Sequence, residues 1–261
     1  MPVFSTPTPP AVHVDLPAGD LRVCATERKD TVVEVRPAEP ANSDDHAYAR
    51  SILVEHADGV ITVKAPDGQR SRRAVHVDIA LPEGSSLLAH TASTDVTTTG
   101  RLGEVAITCA SGDVMVEHAV ALRITTASGD VRCDVIEGDA VIDATSGKVG
   151  VGSVGGHVDV TTASGSAAIG RAHGDVTSRT ASGDIVVHAV TRGQVNARSA
   201  SGNVTLAVTE GSAAWLEISS LSGRVSSELE QSGEPGDAAE TLEVHARTLS
   251  GDIAILRAST R

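Results

Sequence analysis

Short apolar pairs alternate with polar or small residues along most of the chain, a period of two that turns one face of a strand inward. One set is Val114/Val116, Val131/Cys133, Val149/Val151, Ala167/Ile169, Ile185/Val187, Val204/Leu206 and Ile253/Ile255. A second set lies between them: Val105/Ile107, Leu122/Ile124, Ala140/Ile142, Val158/Val160, Val195/Ala197 and, displaced by three, Leu216/Ile218. Ser-Gly punctuates the pattern at Ser111, Ser128, Ser146, Ser164, Ser182, Ser201, Ser222 and Ser250, with a degenerate copy at Ser93. The steps from Ser93 are 18, 17, 18, 18, 18, 19, 21 and 28 residues, so a regular core ends in two enlarged units. A second corner falls about ten residues after most of these serines, at Gly103, Gly138, Gly156, Gly174, Gly193 and Gly211.

Such a recurrence predicts stacked supersecondary units. The expected fold is all-β: a single-stranded parallel β-helix or solenoid with coils of about 18 residues, each rising by one strand spacing of about 4.8 Å. Eight or nine coils make a rod of roughly 40 Å. Two sheets folded as a roll are the alternative, because a third side is marked only by Ala119, Val154, Ala172 and Val190. The residue before each serine (Ala110, Ala127, Thr145, Ala163, Ala181, Ala200, Leu221, Leu249) is read as an inward corner plug. Consecutive Ser-Gly units are expected to be successive layers.

Residues 1–90 are strand-rich without the tight period: Val12/Val14, Leu21/Val23, Val33/Val35, Ile52/Val54, Val60 to Val63, and Val75/Val77/Ile79. They are expected to cap the solenoid of residues 91–261, since an end coil otherwise exposes a strand edge. At the other end, Gln231 to Glu240 is a polar loop inside the last enlarged coil, followed by strands at Thr241 to Ala246 and Ile253 to Leu256.

Two connectors, Leu16-Pro17-Ala18-Gly19 and Leu81-Pro82-Glu83-Gly84, accompany the phrase Ala-Ser-Gly-Asp-Val at 110–114 and 127–131, with Ile for Val at 181–185. In these features the chain resembles the domain-of-unknown-function 4097 family of β-strand-repeat proteins, often labelled adhesins. The resemblance covers nearly the whole chain and implies a β-helix-like domain. Members are often exported or membrane-tethered, and the family supplies no catalytic residues to carry over.

Composition narrows the chemistry. Phe4, Tyr48 and Trp215 are the three Phe, Tyr or Trp residues, so Val, Ile, Leu and Ala must fill the interior. With 34 acidic and 21 basic residues the net charge is −13, which repels nucleic acid and anionic membrane. The opening MPVFSTPTPP has no basic run and no apolar stretch, from which a cytoplasmic protein is expected. Cys24, Cys109 and Cys133 sit in alternating segments without metal spacing and are expected to be buried.

Asp95, Asp113, Asp130, Asp184 and Asp252 follow the corner glycines, but Lys148, Ser166, Asn203 and Arg224 interrupt the column. They are read as turn caps rather than a cation ladder. The ten histidines share no column, and no phosphate loop, serine-hydrolase elbow or paired-cysteine motif occurs. No catalytic residue, metal site or cofactor is therefore expected. A polysaccharide-processing β-helix enzyme is the least favoured reading, because the repeats offer one aromatic residue and short loops.

Trp215 precedes the inward Leu216, so alternation points it away from the core, under the Gln231 to Glu240 loop or toward a partner. The resulting expectation is a non-enzymatic structural or protein-binding module that uses an unidentified protein partner or self-association through a solenoid edge. An adhesin-like cell-surface or carbohydrate-binding protein is the alternative.

Overall fold

The computed structural model describes residues 2–66, 73–229 and 240–258. The chain forms two compact units, Met1–Cys133 and Asp134–Arg261.

The first unit contains β1 (Val3–Ser5), β2 (Ala11–Thr26), β3 (Asp30–Pro37), α1 (Ser43–Ser51), β4 (Leu53–Ala57), β5 (Val60–Lys64), β6 (Val75–Pro82), β7 (Ser86–Ser111) and β8 (Val114–Ser128). β2 is sandwiched: it runs parallel to β7 on one side and to β5 and β6 on the other. Beyond these, β3 pairs antiparallel with β6, β4 with β5, and β1 with β3. The helix α1 was not marked by the alternation. Asn42 caps it by accepting from Asp44 N at 3.0 Å, Asp44 and Asp45 face its positive end, and Tyr48 and Ala49 are buried.

β9 (Val131–Ile136) carries the chain into the second unit, which continues with β10 (Ala140–Ser146), β11 (Val149–Val154), β12 (Val158–Ser164), β13 (Ala167–Ala172), β14 (Val176–Ser182), β15 (Ile185–Val190), β16 (Gly193–Ser201), β17 (Val204–Val208), β18 (Ser212–Ser222), β19 (Val225–Ser227), β20 (Glu240–Ser250) and β21 (Ile253–Arg257). All its strand pairs with recorded register are parallel. β10, β12, β14 and β16 stack along one wall, and β11, β13, β15 and β17 along the next. This is the all-β parallel solenoid the repeat predicts.

The inward pairs of both sets are buried, apart from those of one coil described below. A third buried column is also present. Leu102 and Ala119 form it in the first unit, and Ile136, Val154, Ala172, Val190 and Val208 in the second. The weak third side of the sequence is a real buried column, filled by residues from Ala to Leu and Ile.

Three expectations are corrected. The residues before each serine are not inward plugs: Ala110, Ala127, Ala163 and Ala181 are exposed, as are Leu221 and Leu249. The plug lies one position earlier, at Cys109, Thr126, Ala144, Thr162, Thr180, Ser199 and Thr248, all buried. Their polarity hid them, yet it has a use. Thr180 Oγ1 donates to the Gly165 carbonyl at 3.3 Å and Ser199 Oγ to that of Gly183 at 3.3 Å, satisfying corner carbonyls inside the core. Second, Cys24 is exposed, whereas Cys109 and Cys133 are buried. It occupies an outward position in β2, between the buried Val23 and Ala25.

The third correction concerns layer order. β20 pairs with β16 on one side and with β18 on the other, and β21 likewise lies between β17 and β19. The last coil in sequence is therefore the penultimate layer, and the coil before it forms the end. Corner hydrogen bonds repeat this order independently. Asn203 N donates to Asp184 Oδ1 (2.8 Å), Asp252 N to Asn203 Oδ1 (2.9 Å), and Arg224 N to Asp252 Oδ1 (2.7 Å).

Candidate functional site

Those contacts also fix what the post-glycine acids do. Asp113 N donates to Asp95 Oδ1 at 2.9 Å and Asp130 N to Asp113 Oδ1 at 2.8 Å, so each carboxylate caps the turn of the neighbouring coil. Asp139 and Asp175 do the same at the second corner, for His157 N and Gln194 N. Among the described residues, no three His, Cys, Asp or Glu side chains converge as metal ligands would. No helix among them is long and apolar enough to cross a membrane.

The features without an internal role gather on the β18–β19 coil. Among the described residues β18 pairs with β20 alone and β19 with β21 alone, leaving one edge of each open. The register places Leu216 beside Val244 and Ile218 beside Ala246, in the inward columns. With no layer above, both are only half-buried, and Val225 is exposed.

Trp215 stands beside Glu243 on the outward face and is 75% exposed; Leu221, on the same face, is 83% exposed. The loop expected to cover Trp215 lies, apart from Glu240, outside the described residues. Trp215 borders a groove of about 700 Å³ with Asp175, Arg192, Gln194 and Glu243 on its walls. The outward apolar residues Leu221 and Leu249 were missed by the sequence reading. A signal existed: that column holds Ala or Thr in every earlier coil and Leu only in these two.

One charged side chain, Glu217, lies on β18. It is hydrogen-bonded to Arg247 and, at 3.0 Å, to His245 Nδ1, joining the end coil to β20. The Arg247 guanidinium, with His245 adding to it, holds the Glu217 carboxyl below the usual carboxylate range. A group lowered in the folded state stabilises above its ordinary value and loses that contribution as pH falls through the lowered one. Amide exchange in β18, corrected for intrinsic rates, is expected to accelerate relative to β16 as pH drops below the carboxylate range. Equal protection of the two strands at low pH would show that the pair does not hold the coil.

Solved structures to which the chain is similar include a candidate adhesin from Bacteroides fragilis (12% identity, 97% of this chain and 96% of that one, TM-score 0.45). A candidate cell adhesion protein from Clostridium sporogenes has 12% identity, 98% coverage of both chains and a TM-score of 0.25. A candidate adhesin from Parabacteroides distasonis has 13% identity, 97% and 95% coverage and a TM-score of 0.37. No curated protein matches the chain. The cytoplasmic expectation is corrected: these neighbours are described as adhesion proteins. That expectation rested on the character of the first ten residues, which does not determine where a protein acts. The profile of the Toastrack DUF4097 family matches residues 12–256, spanning both units and nearly every strand described above, and the chain belongs to that family.

Proposed function

We propose that this protein is a non-catalytic, adhesin-like binding module that acts outside the cytoplasm and makes its contact through the open β18–β19 edge. One observation carries the reading: a strand edge, unpaired among the described residues, bearing Trp215 and Leu221, both more than two-thirds exposed. An unpaired edge offers backbone donors and acceptors in a row, and exposed aromatic and aliphatic side chains supply the anchors. Another protein or a second copy of this chain can add a strand there. Residues 1–90 serve as a cap, supported within the first unit by the antiparallel β3 and β4 that lie outside β6 and β5.

Surface protease treatment of intact producing cells tests the location. The chain is expected to be digested without lysis, and protection until lysis refutes an external role. A second reading, a carbohydrate contact, is favoured by the groove in which the Trp215 ring meets Gln194, Glu243 and Arg192, polar groups suited to sugar hydroxyls. Titration with neutral and uronate-containing oligosaccharides is expected to change Trp215 fluorescence if that reading holds. An unchanged spectrum at millimolar sugar removes it and leaves the edge as the contact.

A further inference from the structure

β18 lacks the devices that keep strand edges from pairing. Edge strands are commonly kept short, bulged, or studded with Lys and Pro. β18 runs for 11 residues and holds neither Lys, Arg nor Pro. Its register with β20 is unbroken from Ser212 to Ser220, and Glu217 is its one charge in a protein of net charge −13. An edge strand carrying this little charge offers little repulsion to its own copy.

The order of residues along β18 is also self-complementary. Outward positions read Ala213, Trp215, Glu217, Ser219, Leu221, and inward positions read Ala214, Leu216, Ile218, Ser220. Turned end for end about Ile218, the strand sets Trp215 opposite Leu221 and Glu217 opposite Ser219. On the inward face Ile218 meets Ile218 and Leu216 meets Ser220. Apolar meets apolar at the two most exposed side chains, and each carboxylate faces a hydroxyl. A register centred on Glu217 opposes two carboxylates instead, at a cost. Self-complementarity of this kind is what an isologous two-fold interface requires.

The backbone permits the same register. The Ser222 carbonyl accepts from Gly251 N at 3.0 Å, but the register with β20 skips Leu221 and Leu249, so the alternation shifts by one residue at that corner. In the equivalent coils the His157 and Asp175 carbonyls, at the place of Trp215, accept from the neighbouring layer, so the odd-numbered residues of β18 bond to β20 and the peptide groups of Leu216, Ile218 and Ser220 point outward, where antiparallel pairing needs them.

We infer that two copies of this chain join as a two-fold dimer by antiparallel pairing of β18 with β18, centred on Ile218, covering the half-buried Leu216 and Ile218 of each second unit. The inference rests on the reading of this edge as the binding surface, and names its partner and register.

The test uses the full chain with Cys24→Ser, which removes the one exposed thiol. Light scattering is expected to give a dimer. Ile218→Cys is expected to cross-link through a disulfide under mild oxidation, since residues facing each other at a hydrogen-bonded position lie about 5.5 Å apart, within disulfide range. Glu217→Cys, about 7–8 Å from its symmetry mate, is expected to stay reduced. Ser220→Pro removes an outward amide and is expected to abolish the dimer while far-ultraviolet circular dichroism is retained. A dimer that cross-links through Glu217→Cys and not through Ile218→Cys overturns the register while sparing the edge reading. A chain monomeric to millimolar concentration, with Ile218→Cys uncross-linked, overturns the second copy as partner. The protease result on intact cells is independent of both outcomes.

Discussion

Gly202→Ala is expected to lower the melting temperature by about 6–12 °C, equivalent to a loss of about 3 kcal/mol. Gly202 has φ +152°, and a Cβ there would sit 2.0 Å from the Gly183 carbonyl oxygen. Relief is blocked from both sides, because Gly202 N also donates to the Ser250 carbonyl at 2.9 Å in the next layer. The stack spacing is set by hydrogen bonds along several walls, so one corner cannot open without straining the others. Gly211→Ala is the control. Its φ is +84° but nothing lies within 4 Å of its Cβ, so only the left-handed strain remains, about 1 kcal/mol. Thermal denaturation of both variants checks the contrast, and equal shifts would show that close layering does not select glycine at the Ser-Gly corners.

The second large effect is a pair of prolines whose ranking opposes chain order. His245→Pro, in the strand nearer the C-terminus, is expected to cost about 3 kcal/mol or more, whereas Ala214→Pro is expected to stay within about 1 kcal/mol. His245 lies in β20, flanked by Asn196 of β16 and Glu217 of β18, so proline removes a ladder bond inside the stack. Ala214 lies in the end strand with its amide directed outward, where the ladder loses nothing. If layers followed the sequence, β18 would be interior, β20 terminal, and the ranking reversed. Urea denaturation of the two variants decides between the orders, and a more damaging Ala214→Pro would refute the inserted coil.

Much of this architecture is legible in the sequence because a solenoid repeats one local solution. The 18-residue step, the inward pairs such as Ile185/Val187 and the glycine corners depend on neighbours within a coil and on an equivalent coil above and below. The aspartate caps are legible for the same reason, as Asp95 and Asp113 show. The corner plug is displaced by one residue because Thr126, Thr180 and Ser199 are polar, and hydropathy alone assigns them outward. Their inward place follows from carbonyls that only the assembled corner presents. The helix α1 escaped because its burial reaches Tyr48 and Ala49 without a sustained apolar stripe.

The candidate edge was less legible than the fold. Trp215 was identifiable as outward from its place before Leu216. Leu221 and Leu249 were misplaced by the plug reading, and their shared outward face emerged only from the strand register. The step of 28 residues between Ser222 and Ser250 was visible as an irregularity. It coincides with the change of layer order, in which β20 lies between β16 and β18.

The sequence by itself determined the coil, meaning its length, its inward columns, its glycine corners and their caps, since these are local and repeat from layer to layer. Only the tertiary structure decided which coil lies last. Every Ser-Gly layer offers nearly the same ladder to its neighbour, so local pairing energies barely distinguish one order from another. The assembled layers show the order chosen, with β20 inside and β18 outside, and among the described residues it leaves Trp215 and Leu221 on an unpaired edge.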